Sequence, residues 1–343
     1  MRCYILGIKS CFASITILSV FLFIGCGLRE EYSVIRGQTM GTYYAVSYGA
    51  GGECVLQKDD VDSLLVAINN SLSTYQPDSE LSIVNRARVT GKSSISQELF
   101  FVLSAAELVW RQTEGAFDVT IGPLINLWGF GPSKKSSVPS SFDEEQIKTR
   151  IGMKNLVLNS GSLFKKQDDM YIDLSAIAKG YAVDRVASLF EDRGCSDYLV
   201  DIGGESKVKG HNASGDLWRI GIEKPGAGIN GAQAVLQLSN VGIATSGNYR
   251  NFRQIGSGKV SHVMDPRSGK PSNSRVASAT VLHESVMMAD AYATSIMVLG
   301  VEEGMRFAVE HDLPVFMILE EPSGGFRERY NKLMENYIRL SID

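Results

Sequence analysis

The chain has 343 residues, with 34 Lys and Arg against 38 Asp and Glu, a net charge of −4, 44% hydrophobic and 21% charged residues, which is the profile of a globular protein. That balance excludes disorder and collagen-like structure, and it offers no basic surface to neutralise nucleic-acid phosphates, so no nucleic-acid partner is expected. Glycine supplies 34 residues, above the usual share of about 7%, so many positions serve tight turns or close backbone approach to a ligand.

Arg2 and Lys9 precede an uncharged stretch from Ser10 to Leu28 with an apolar centre, Ile15 to Ile24. This is the pattern of an export signal. It ends in Phe23-Ile24-Gly25-Cys26, which resembles the lipobox of bacterial lipoproteins, so residues 1–25 are expected to be a signal peptide and Cys26 the lipidated first residue of a single domain, 26–343. The alternative is an uncleaved anchor helix. Both place the globular part on the extracytoplasmic face of a bacterial cell membrane, and acyl chains on Cys26 would tether it there. Of the five cysteines, Cys54 and Cys195 then remain, too few for a disulfide scaffold. They read as structural residues, and their spacing leaves open whether they pair.

Residues 32–48 alternate aromatic, β-branched and polar types around a loop at Gln38-Thr39-Met40-Gly41, which predicts a strand pair. Asp60 is placed to cap a helix from Val61 toward Leu72, and a second helix is predicted over Gln97–Gln112. The glycine-punctuated stretch Gly115–Gly131 is too apolar for a linker and too broken for a long helix, and 132–146 reads as an exposed loop. Strands are predicted at 155–158, 162–166 and 170–172, then a helix after Gly180 to about Phe190. Further strands fall at 197–202, 218–223, 234–238, 260–264 and 276–282. Helices near 286–299 and 302–311 and a buried strand at 314–319 complete the pattern. Strands outnumber helices and mostly follow one another directly, which favours an α+β fold with antiparallel sheet.

Several familiar motifs fail on inspection. Gly226-Ala-Gly228-Ile-Asn-Gly231 matches a dinucleotide fingerprint, but Ala234–Leu238 after it reads as a strand where that motif needs a helix, so a hairpin loop is expected. The chain contains no H-E-x-x-H, C-x-x-C or G-x-S-x-G. What survives is a set of polar residues at glycine-rich turns in otherwise apolar stretches: Asp118, Asp173, Asp201, Glu205, His262, Asp265, Asp290 and Thr294. Asp290 and Thr294 stand one helical turn apart, where a carboxylate and a hydroxyl can share one hard cation or serve the helix itself. His262 ends a strand, where an imidazole can be held rigidly.

Taken together, Gln38-Thr-Met40-Gly-Thr42, Ser73-Thr-Tyr75, Phe117-Asp118-Val-Thr, Leu127-Trp-Gly-Phe-Gly131, Asp173-Leu-Ser-Ala176-Ile-Ala-Lys179-Gly180, Asp201-Ile-Gly-Gly204, His262-Val-Met264-Asp-Pro and Asp290-Ala-Tyr-Ala293-Thr294 resemble the ApbE family of FAD:protein FMN transferases, over roughly residues 32–320. The resemblance implies a T-fold-like α+β architecture of antiparallel sheets with packed helices. It also implies a magnesium-dependent reaction in which a Ser or Thr hydroxyl of a protein acceptor takes FMN from FAD and AMP leaves. By the family pattern, Met40, Tyr75, Ala116, Phe117, Asp118, Asp173, Lys179 and Met264 fall at FAD-contacting positions. Ala176, Asp290, Ala293 and Thr294 fall in or near the magnesium shell, and His262 is the candidate base. The acceptors the family suggests are exported segments of redox complexes of the sodium-pumping NADH:quinone reductase or Rnf type. A magnesium-dependent FAD pyrophosphatase and a non-catalytic FAD-binding lipoprotein are the competing readings.

Overall fold

A computed structural model describes residues 32–51, 54–87, 92–131, 139–226, 231–248, 252–255 and 258–341. The expected signal segment and Cys26 lie outside them, as do residues 132–138 of the expected loop. Among the described residues no helix is long and apolar enough to cross a membrane.

The chain opens with β1 (Tyr32–Thr39) and β2 (Thr42–Gly49), followed by α1 (Lys58–Leu72), α2 (Glu80–Arg86), β3 (Lys92–Ser94), α3 (Gln97–Gln112), α4 (Gly122–Leu127) and α5 (Ser141–Lys148). Next come β4 (Leu156–Asn159), β5 (Ser162–Lys165), α6 (Ala178–Asp192), β6 (Tyr198–Ile202), β7 (Glu205–Lys209), β8 (Trp218–Glu223), β9 (Ala232–Leu238) and β10 (Val241–Gly247). Two short hairpins, β11 (Phe252–Ile255) with β12 (Gly258–Ser261) and β13 (Met264–Asp265) with β14 (Lys270–Pro271), precede β15 (Val276–His283) and α7 (Val286–Glu310). The chain closes with β16 (Val315–Glu320), β17 (Phe326–Tyr330), α8 (Lys332–Glu335) and β18 (Ile338–Ser341).

An eight-stranded sheet, ordered β1-β2-β6-β7-β10-β15-β16-β17, forms the centre, and every neighbouring pair in it is antiparallel. Its strands divide their side chains between two cores by the period of two that a strand imposes. Val315, Met317 and Leu319 of β16 join the larger core with α1, α3, α6 and α7, while Phe316 and Ile318 face a second core beneath the three-stranded sheet β18-β9-β8. The molecule is therefore layered as helices, large sheet and small sheet, which is the α+β arrangement expected.

Differences from the sequence reading have local causes. The α1 helix begins at Lys58 with Gln57 as its N-cap, and Asp60 sits at the third helical position, where its carboxylate accepts the Gln57 N–H at 2.9 Å. Asp60 thus closes a capping box instead of occupying the cap. The predicted loop 132–146 runs into α5, whose Ile147 packs toward Leu124 and Trp128. Residues 170–172 form no strand. Tyr171 makes one isolated bridge with Ile121, and both backbone groups of Ile172 are taken by the Asn85 side chain. The strand at 260–264 is broken at His262, between β12 and β13. The two predicted C-terminal helices are α7 on either side of Gly300, whose φ of 80° interrupts it. β8 and β9 pair antiparallel on either side of Gly226 and Gly231, and residues 227–230, which include Gly228, lie outside the described residues.

Candidate functional site

The densest polar cluster lies where α6, α7 and the β6–β7 hairpin meet. The segment Asp173–Ile177 leads into α6 through a tight turn: the Asp173 carboxylate accepts the Ser175 N–H at 2.9 Å, and the Leu174 carbonyl accepts N–H groups from Ile177 and Ala178. Lys179 then stands in the first turn of α6 and forms an ion pair with Glu205, the first residue of β7. Glu205 reaches it because Gly203 and Gly204, at φ of 64° and 107°, turn the hairpin through a conformation that side chains resist. On α7, fully enclosed Asp290 accepts the Gly180 N–H at 3.1 Å, satisfying one of the free donors at the start of α6.

This approach depends on Gly180. A Cβ there would lie 2.4 Å from the Val286 carbonyl oxygen and 2.7 Å from the Met287 Cα, so only glycine lets α6 lie against α7 at this point. Asp184, one turn further along α6, holds the other partner: its carboxylate accepts the Ser285 hydroxyl at 2.7 Å and the N–H groups of Val286 and Met287 at 2.9 and 3.0 Å, capping α7 from a neighbouring helix.

The electrostatics of the cluster are unbalanced. Burial, and then the charge of Asp290, push the Glu205 carboxyl up to about 8, against the opposing pull of Lys179. Burial also raises Asp290, opposed by Lys179 and the Gly180 N–H. Burial alone would weaken the Lys179 ammonium, but Asp290, Glu205 and Asp201 outweigh it and hold its pKa above the usual lysine value. Asp201 is raised by burial, against hydrogen bonds that include the Ser206 hydroxyl at 2.7 Å. Three carboxyl groups thus converge on one ammonium, and Glu205 Oε2 is buried without a hydrogen-bond partner. Thr294, one turn beyond Asp290, pairs its hydroxyl with Ser246 of β10 at 2.9 Å.

The ApbE family model matches residues 40–317. The chain belongs to the ApbE family. A relative from Vibrio cholerae serotype O1, described as an FAD:protein FMN transferase, is 40% identical over 92% of this chain and 95% of its own. A relative of the same description from Escherichia coli K12 is 35% identical over 90% and 93%. The solved flavin transferase ApbE from Vibrio cholerae superposes with a TM-score of 0.82 at 39% identity, covering 90% of this chain and 99% of that one. The apo form of the Pseudomonas stutzeri flavinyl transferase ApbE gives 0.82 at 32% identity, with 89% and 96% covered.

Within the ApbE fold the remaining candidates fall in separate surroundings. Tyr75 is largely exposed, the Tyr171 hydroxyl donates to the carbonyl of Thr74, the neighbour of Tyr75, at 3.4 Å, and burial and then the charge of Asp173 raise both phenols, so the three stand near one another. Met40 occupies the β1–β2 turn at a φ of 49°. Ala116 and Phe117 are buried in the main core, and the Asp118 carboxylate is spent inside the protein: it accepts the Thr120 N–H and hydroxyl at 2.8 and 2.6 Å and the Met153 N–H at 2.9 Å. Burial raises Asp118 above the usual carboxylate range against these bonds. Met264 packs in a small apolar cluster with Leu124, Leu127 and Trp128. His262 is half-buried between β12 and β13, its ring 6.2 Å from that of Phe130. Ala176 lies in the turn before α6, and Ala293 is enclosed in α7 between Asp290 and Thr294. The structure therefore pairs Lys179 directly with Glu205 and places Asp290, bonded to the Gly180 N–H, where its charge acts on both, whereas it leaves Asp118 as a buried brace. Asp184 and Asn85 escaped the sequence reading, because each acts on a segment more than 80 residues away and no local pattern marks such a contact.

Proposed function

We propose that this ApbE family protein transfers FMN from FAD to a Ser or Thr hydroxyl of an acceptor protein, releasing AMP, with magnesium at the FAD pyrophosphate. The observation that carries the reading is the buried cluster of Lys179, Glu205 and Asp290, where carboxylates outnumber cations and one carboxylate oxygen has no partner. Such a cluster suits a hard divalent cation, which favours oxygen donors. Among the described residues no three His, Cys, Asp or Glu side chains gather as a metal site, so the protein ligands would be Asp290, the Thr294 hydroxyl and backbone carbonyls of Ala176 and Ala293, an incomplete set that leaves room for phosphate oxygens. Magnesium held there would neutralise charge on the pyrophosphate.

The chain's own residues supply the remainder. Lys179 offers a cation for phosphate oxygens beside the metal site, and Glu205 fixes its direction. The space shared by Tyr75, Tyr171 and Asp173 suits an aromatic ring and a polar edge of the flavin. His262 accepts the proton of the attacking hydroxyl. The new bond joins the hydroxyl oxygen to the FMN phosphorus; the bond from that phosphorus to the bridging oxygen breaks, and the oxygen leaves with AMP. Export and lipidation at Cys26 agree with the disulfide that joins Cys54 to Cys195, since such bonds persist outside the cytoplasm.

The decisive experiment incubates the protein with FAD, magnesium and an exported acceptor domain, then measures the intact mass of the acceptor. A gain of FMN less one water, matched by AMP, is expected. Asp290→Ala should abolish both products, and His262→Ala should slow transfer while FAD affinity changes little. AMP and free FMN with an unchanged acceptor mass would instead establish a pyrophosphatase.

A further inference from the structure

The turn that carries Asp173 and Ala176 is not held by a strand. Its anchor is a side chain from α2: Asn85 Nδ2 donates to the Ile172 carbonyl at 2.8 Å, and Asn85 Oδ1 accepts the Ile172 N–H at 2.7 Å. One amide thus replaces the pair of hydrogen bonds a neighbouring strand would provide. Asn85 is in turn fixed from behind. Lys165, 3% exposed, sends its ammonium to the carbonyls of Val84 and Asn85 at 2.8 and 3.3 Å, at the C-terminal end of α2 where a cation complements the helix dipole. The next residue after Ile172 is pinned on the opposite side, the Asp173 N–H donating to the Val119 carbonyl at 2.7 Å.

A buried lysine is costly unless its donors are satisfied, and here its donors are spent on the two carbonyls that frame Asn85. We propose that Lys165 and Asn85 form a strut that sets the position of the Asp173–Ala176 turn ahead of α6, making Asn85 a positioning residue for the metal and FAD site. The inference rests on the FAD and magnesium reading above. The strut touches none of the proposed ligands and acts only through Ile172. Its failure should therefore displace the Asp173 carboxylate and the Ala176 carbonyl together while Lys179, Asp290 and Glu205 keep their contacts.

The test uses Asn85→Ala, Asn85→Asp and Lys165→Met in the full exported chain. Each is compared with the unaltered protein by amide hydrogen exchange without ligand and by quenching of FAD fluorescence as magnesium is titrated. Asn85→Ala should speed exchange in a peptide spanning 170–177, leave α7 protected, and raise the magnesium needed for half-maximal FAD binding about tenfold, the scale of two lost hydrogen bonds. Asn85→Asp keeps the acceptor and loses the donor, so its shift should be smaller unless its charge repels Asp173; Lys165→Met should shift in the same direction as Asn85→Ala. Unchanged magnesium and FAD titrations in folded Asn85→Ala protein, whatever its melting temperature, would overturn the strut. If the unaltered protein itself binds no FAD with magnesium, the functional reading fails instead, and faster exchange confined to 170–177 would still establish the anchor.

Discussion

At the scale of single residues, the site is governed by a shortage of positive charge. Lys179 faces Glu205 and Asp290 in a region where burial raises both carboxyls, Glu205 to about 8. The two titrate as a pair that retains protons which free carboxylates have lost. A folded-state pKa raised above the unfolded value contributes stability that is complete below the ordinary carboxylate range and is lost as pH rises through the folded value. The metal-free protein should therefore melt at progressively lower temperature as pH rises from about 5 to about 9, and Glu205→Gln should flatten that slope. Magnesium at the proposed site would compete with those protons, so the rise in melting temperature on adding it should be larger near pH 8 than near pH 6. A slope that Glu205→Gln leaves unaltered would place the titration elsewhere.

At the scale of elements, the site is a junction between two helices. Asp184 of α6 caps α7, and Asp290 of α7 satisfies Gly180 of α6, so each helix completes the other's N-terminal turn. The exchange requires close contact at Gly180, where an added methyl would overlap the α7 backbone. Backbone cannot yield as a flexible side chain does. Gly180→Ala should therefore cost about 1–3 kcal/mol of stability, as overpacking does, and should weaken FAD binding more than a comparable loss elsewhere, because Lys179 and Asp290 move apart. Thermal melting and FAD titration on one preparation separate the two effects. Binding that stays normal in a destabilised Gly180→Ala protein would show that the helices can separate without disturbing the site.

At the scale of the whole molecule, one covalent tie spans the helical layer. Cys54, in the connection from β2 to α1, and Cys195, between α6 and β6, are buried and joined by a disulfide across 141 residues. It secures the end of α6 remote from Lys179 to the strands that α6 packs on. Closing so long a loop restricts the unfolded chain, and such bonds contribute about 2–4 kcal/mol. A reductant, or the double substitution Cys54→Ala with Cys195→Ala, should lower the unfolding free energy by that order and the melting temperature with it, while the FAD and magnesium titrations at low temperature stay within about twofold because the proposed site is at the opposite end of α6. A loss of binding without a loss of stability would make the bond part of the site.

Read from the sequence alone, the period of two in β2 and β6, the helix over Gln97–Gln112 and the two helices near 286–299 and 302–311 each emerge from local preference, and the structure contains them. The ordered motifs also marked the polar residues and the ApbE family, because glycine turns and helical spacing are written into neighbouring positions. Several elements left little trace. The α2 helix has seven residues, β7 alternates lysines with small side chains, and β10 contains two glycines, so tertiary pairing decides their state. The same holds for the site. Lys179 meets Glu205 across 26 residues, Asn85 grips Ile172 across 87, Gly180 meets Asp290 across 110 and the cysteines pair across 141. Local spacing carries the residue types that chemistry needs, but which carboxylate meets which cation, and what holds the turn in place, depends on long-range packing that becomes favourable only when the sheet and helices have closed around it.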